Sequence, residues 1–127
     1  MIIFMLNYAC CITGKLLFHV KKPSRYLGKE FNACYKKWET AKLRVALVFP
    51  DLYEIGMSHH GLQILYAVIN GQEGLLADRV YSPDKDLEEL LLSRQEAIFA
   101  VESRRPLTEF DMIGITLPYE LCYTNIL

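Results

Sequence analysis

The stretch Leu43-Arg-Val-Ala-Leu-Val-Phe-Pro-Asp-Leu-Tyr-Glu-Ile-Gly-Met-Ser-His-His-Gly61 decides the reading of this chain. Val45 to Phe49 is a continuous β-branched and apolar run, as expected of a central strand in a parallel sheet. A polar loop follows, and then an apolar helical face at Leu62, Ile64, Leu65, Val68 and Ile69. In an open α/β sheet, ligands bind just outside the carboxyl ends of the strands. The loop therefore nominates Pro50, Asp51, Tyr53, Glu54, Gly56, Ser58, His59 and Gly61 as a candidate cofactor site.

Working outward, Asn70-Gly71 ends the first helix and Leu75 to Tyr81 reads as a second strand. Asp84, after Pro83, is a helix N-cap. Leu87, Leu90, Leu91 and Arg94 continue that helix, and Asp86, Glu88 and Glu89 suit the positive end of its dipole. Ala97 to Val101 predicts a third strand and Met112 to Leu117 a fourth. A helix starts at Glu120. The alternation predicts an α/β fold, a Rossmann-like or flavodoxin-like parallel sheet with flanking helices. The helix begun at Glu120 does not complete an apolar face, which predicts a sheet incomplete at the C-terminus and a chain that is the N-terminal part of a longer protein. Without that helix, Ile113, Ile115 and Leu117 are expected to expose apolar surface.

Residues 1–42 read as an extension before the domain at 43–127. Met1 to Ile12 is apolar but shorter than the roughly 20 residues a bilayer span needs. It lacks the basic start of a secretory signal, leaving an extra strand or a start placed too far upstream. Residues 13 to 42 are basic, with Lys15, Lys21, Lys22, Arg25, Lys29, Lys36, Lys37 and Lys42 interleaved with Tyr26, Phe31, Tyr35 and Trp38. Such a mixture either binds RNA or phosphate, or is a solvated arm held on the domain by its aromatics.

Of 127 residues, 52% are apolar and 23% charged, a globular composition with material for one core. The net charge of −1 gives no bulk case for nucleic acid. Cys10, Cys11, Cys34 and Cys122 form no C-x-x-C pair and no zinc spacing, consistent with free thiols in a reducing, cytoplasmic setting. His59 and His60 are adjacent, so on a helix they point apart and cannot ligate one ion from one face. A helix cap, an acid/base group and an axial cofactor ligand all remain open for them. Neither a G-x-G-x-x-G nor a G-x-x-x-x-G-K-S/T motif is present.

Several dense motifs occur in a fixed order: Lys22-Pro-Ser-Arg-Tyr-Leu-Gly-Lys-Glu30, Val48-Phe-Pro-Asp-Leu-Tyr-Glu-Ile-Gly-Met-Ser-His59, Glu102-Ser-Arg-Arg-Pro-Leu107, Phe110-Asp111, and Tyr119-Glu-Leu121 with Tyr123-Thr-Asn125. From about Val20 to Leu127 the chain resembles the N-terminal, B12-binding-like domain of a family of bacterial radical S-adenosylmethionine proteins. The resemblance implies cobalamin at the strand ends, adds Glu120 to the candidate residues, and makes the radical domain of the same polypeptide the expected partner. It also implies a [4Fe–4S] cluster and S-adenosylmethionine for the full-length parent. This chain has no C-x-x-x-C-x-x-C motif, so it is not expected to perform radical chemistry alone. It also departs from the D-x-H-x-x-G motif of cobalamin-dependent mutases, because Met57 and Ser58 stand two positions before His59 and His60. The other readings are a non-catalytic RNA- or protein-binding module using Lys21 to Lys42, and an inactive gene fragment.

Overall fold

The computed structural model describes residues 15–126. Three strands, β1 (Leu43–Phe49), β2 (Leu75–Tyr81) and β3 (Met112–Ile115), form one parallel sheet in the order β2-β1-β3. Val45 of β1 sits opposite Ala77 of β2 on one side and Met112 of β3 on the other. Helices α1 (Tyr53–Gly56), α2 (His60–Asn70) and α3 (Lys85–Arg94) accompany them among the described residues. The α/β parallel fold expected from the alternation is thus the observed one.

Alternation along the strands sorts side chains to two faces. Val45, Leu47, Phe49, Ala77 and Tyr81 pack with Leu62 and Tyr66 of α2. Ala46 and Val80, from the intervening positions, pack with Ala100 and with the partly buried Ile98, Leu107 and Phe110. Leu87 and Leu91 of α3 bury against Leu16, Leu17, Val20, Tyr26 and Phe99, so the lead-in residues supply part of a core. Trp38 meets Phe110 edge-on at 5.1 Å and lies between the guanidinium groups of Arg44 and Arg105. Tyr26 and Trp38 therefore hold the arm on the domain, while Phe31 and Tyr35 are exposed.

Two expectations need correction. Ala97 to Val101 is no strand; among the described residues its one bridge joins Phe99 to Pro106. One backbone bond, from Val101 N–H to Arg79 C=O, runs along β2. Beyond it, carboxylates take the ladder's place: Asp78 accepts from the Glu102 and Ser103 N–H groups, and Glu102 from the Arg79 N–H. The second concerns Glu120 to Leu127, expected to begin an α-helix. Glu120–Asn125 is a 3₁₀ helix, and Leu127 lies outside the described residues.

The two sheet edges differ. On the outer side of β2, the Asn70 amide bonds both the N–H and the C=O of Ala77 at 3.0 Å, and Lys36 Nζ bonds the Leu75 carbonyl. Side chains thus close that edge against other strands. Along β3 no partner other than β1 occurs among the described residues. Met112, Ile113, Ile115 and Leu117 are each 45–54% exposed, as expected for the last three when uncovered. No charge or proline guards Met112–Leu117. Such an edge invites association. The chain is predicted to bind a hydrophobic dye in its folded state and to associate at micromolar concentration. Replacing Ile113 and Ile115 with Lys should abolish both, measured by dye fluorescence and by light scattering. Unchanged dye binding in that variant would place the apolar surface elsewhere.

Candidate functional site

At the carboxyl end of β1 the chain turns sharply. Pro50 is buried, and its carbonyl accepts from the Asn125 amide at 2.8 Å. Asp51 Oδ1 accepts from the Leu52 N–H at 2.7 Å, and Oδ2 accepts from the Tyr119 hydroxyl. The loops after β1 and β3 are therefore tied together at the point where neighbouring strands lie on opposite sides of β1. That is the switch-point crevice where parallel sheets bind ligands. Here Tyr119 and Asn125 occupy it.

Tyr53 opens α1 and packs edge-on against Tyr81, with ring centroids 5.3 Å apart. Burial, followed by the nearby Glu30 carboxylate, pushes its hydroxyl up to about 12. Gly56 is fixed by space: a Cβ there would stand 2.5 Å from the Tyr81 ring and 2.9 Å from Phe49. Glu54 pairs with Arg25 at 2.7 Å, and that hydrogen bond holds its carboxyl below the usual range. Arg25 also pairs with Asp84, the cap of α3, so one side chain from the arm links the loops after β1 and β2.

The remaining candidates do local work. Ser58 donates to the Ile55 carbonyl at 2.9 Å. His59 is the N-cap of α2; its Nδ1 accepts from the Leu62 N–H at 3.2 Å, and its ring leans on Phe49. Of the roles open to this histidine, the helix cap is the one observed. Gly61 lies beneath that ring, where a Cβ would meet His59 Cε1 at 3.1 Å. Glu120 is exposed on the 3₁₀ turn. The structure thus brings together Pro50, Asp51, Tyr53, Glu54 and Gly56, and leaves Ser58, Gly61 and Glu120 apart from them in chemistry.

The polar centre of the molecule was not among these candidates. Arg79, on the α2 face of β2, has no solvent exposure. Its Nε bonds Glu102 Oε1 at 2.8 Å, and its Nη2 reaches the same oxygen. Its Nη1 bonds Glu30 Oε2 at 2.6 Å. The guanidinium also lies over the Tyr66 ring, 4.6 Å from its centroid. Burial works against the charge, but the Glu30 carboxylate and the hydrogen bonds to Glu102 keep the guanidinium protonated. Glu102 is itself pushed up to about 9, first by burial and then by the Asp78 carboxylate. A sequence signal existed: Asp78-Arg79 is a charged pair inside an otherwise apolar strand.

The parallel α/β sheet, with its strand-end loops gathered at a switch point, defines the class of protein. A sequence model of the family described as "Radical SAM proteins, N-terminal" matches residues 61–127. The chain belongs to that family. No curated protein and no solved structure matches it. The match starts after β1, so most of the strand-end loop lies outside it. The B12-binding likeness has no support from the comparison.

The donor sets present do not fit the groups the family brings to mind. For a cluster, the described free thiols are Cys34 and Cys122, with no C-x-x-x-C-x-x-C in the sequence. For cobalamin, the strand-end histidine among the nominated residues is engaged as a cap, and Asp51 and the Pro50 carbonyl are already bonded to Tyr119 and Asn125.

The elevated Glu102 makes a pH prediction. Its carboxyl ionises near pH 4.3 when unfolded, against about 9 when folded. Between those values the folded chain keeps a proton that the unfolded chain has lost. Its contribution is fully present below the unfolded value and declines as pH rises towards the folded one. Urea midpoints should therefore fall from pH 5 to pH 9. Glu102→Gln, which cannot ionise, should flatten the slope. Equal slopes in the two proteins would remove Glu102 from the account.

Proposed function

We propose that this chain is a non-catalytic accessory domain that packs against the S-adenosylmethionine-binding part of a radical protein and helps enclose its substrate. The described part of the extension, residues 15–42, steadies the domain at 43–127. Radical chemistry, with its [4Fe–4S] cluster and S-adenosylmethionine, belongs to the full-length parent. The observation that carries the reading is the apolar, unguarded β3 edge, next to strand-end loops that Asp51, Tyr119 and Arg25 hold in place. A face of this kind suits a permanent intramolecular partner more than water. Cobalamin is a weaker reading, because Asp51, Glu54 and His59, nominated to hold it, are already bonded to Tyr119, Arg25 and the Leu62 N–H. The RNA-binding reading is weakened too, since Tyr26 and Trp38 are spent on packing. No described helix is long and apolar enough to cross a membrane.

The test is co-expression with a separately encoded radical domain from a member of the family. Copurification in equal amounts, with loss of dye binding, supports the reading. Independent migration with dye binding unchanged contradicts it. Hydroxocobalamin passed with the chain through gel filtration should be retained weakly at most. Tight retention with the spectrum of histidine-ligated cobalt would overturn the cap assignment of His59.

A further inference from the structure

The segment Lys22–Lys36 crosses the α2 side of β2 as a strap. It has one short 3₁₀ turn, Pro23–Tyr26, and otherwise little regular structure. It is pinned at a few points: Arg25 to Glu54 and Asp84, the Cys34 N–H to the Tyr66 hydroxyl at 2.7 Å, and Lys36 to two carbonyls. Gly28, at φ +63, lies so close to the Val101 carbonyl that a Cβ would stand 2.2 Å from its oxygen.

Between those pins the strap delivers Glu30 to Arg79. The arrangement is unequal. Glu102, from the body of the domain, binds two nitrogens of the guanidinium, and Glu30 takes the third, Nη1, which Gln63 Oε1 also approaches at 3.4 Å. Glu30 does so with one oxygen; among the described residues its Oε1 has no hydrogen-bond partner, although it is buried. The other such atom is the hydroxyl of Tyr81, a residue 97% buried and two positions along the same strand face. Buried polar groups in folded proteins are nearly always paired, so two orphans need a cause, and both belong to residues that act on the Arg79 charge. A cleft lined by Cys34, Lys36, Asp78 and Glu102 opens between strap and body; it meets the network at Glu102, and Arg79, Tyr81 and Glu30 do not line it.

We propose that Arg79 and Tyr81 form a binding site for a small carboxylate, and that Glu30 occupies it here as a tethered stand-in. The guanidinium edge supplies the charged donor, and the Tyr81 hydroxyl supplies a second donor that Glu30, restrained by its strap, leaves unused. Carboxylate recognition by a buried arginine is strong because both charge and geometry match. Lifting the strap at Glu30 exchanges the tethered carboxylate for a free one. Glu102 stays in place and keeps the guanidinium oriented.

The experiment is chemical rescue. Glu30→Ala leaves Nη1 and the Tyr81 hydroxyl facing a space the size of a carboxylate. Sodium formate or acetate should raise its Tm by roughly 4 °C or more beyond the wild-type shift, with sodium chloride at equal ionic strength as reference. Adding Tyr81→Phe to Glu30→Ala should cut that gain by at least half. Shifts equal to those in chloride would overturn the proposal, as would a gain that Tyr81→Phe leaves intact. The wild-type chain gives an independent readout should the variant not fold. Formate should then speed hydrogen exchange of residues 24–34 while leaving β1 and β2 protected. Exchange there that is as slow as in the strands, and indifferent to formate, would also overturn it.

Discussion

A buried arginine is the constraint on which this small sheet depends. Arg79 sits without solvent exposure in an edge strand, and a guanidinium cannot shed its charge there. Its cost is met only if partners come to it from elsewhere in the sequence. Glu102 comes from the loop before β3, Glu30 from the strap, and Tyr66 from α2. One side chain thus draws three distant segments onto the same face. The same groups also satisfy the backbone: Glu102 and Asp78 accept from the Arg79 N–H that an added strand would otherwise have paired, and Asp78 also accepts from the Glu102 and Ser103 N–H groups.

That arrangement makes the two edges of the sheet unlike each other. Beside β2, Asn70, Glu102 and Lys36 use up the hydrogen-bonding groups that face outward. Beside β3 nothing comparable occurs among the described residues, and both faces of the strand carry exposed aliphatic side chains. A domain finished on one edge and open on the other has a direction in which it associates. In the reading proposed above, that open edge meets the radical part of the parent protein.

Much of the fold was legible in the sequence, for stated reasons. Val45–Phe49 is apolar with two β-branched residues and forms the body of β1, and Leu75–Tyr81, apolar on both sides of Asp78-Arg79, is β2 with the same bounds. Asp84 after Pro83 announced α3, and its carboxylate does cap that helix. Ala97–Val101 misled because apolar content reports burial, not pairing. Its residues are buried, but carboxylates and Pro106 deny it a ladder. The candidate site was half legible. The strand-end position of Asp51, Tyr53 and Glu54 follows from the α/β pattern alone. That Glu54 is spent on Arg25, or Asp51 on Tyr119, depends on contacts 29 and 68 residues away in sequence, which no local pattern carries. Arg79 escaped notice for the same reason, since its partners lie 23 and 49 residues away.

The central claim is that Arg79 and Glu102 act as one unit around which β2, α2 and the strap are assembled. A double-mutant cycle tests it most directly, with Arg79→Met, Glu102→Leu and the double variant compared by urea denaturation at pH 7. Breaking a buried hydrogen-bonded pair from either side leaves a polar group stranded, so each single change should cost about 3–5 kcal/mol. The double variant should cost much less than the two together, because apolar groups then face each other. Single costs that simply add would show that the pair is not a unit, and would contradict the account.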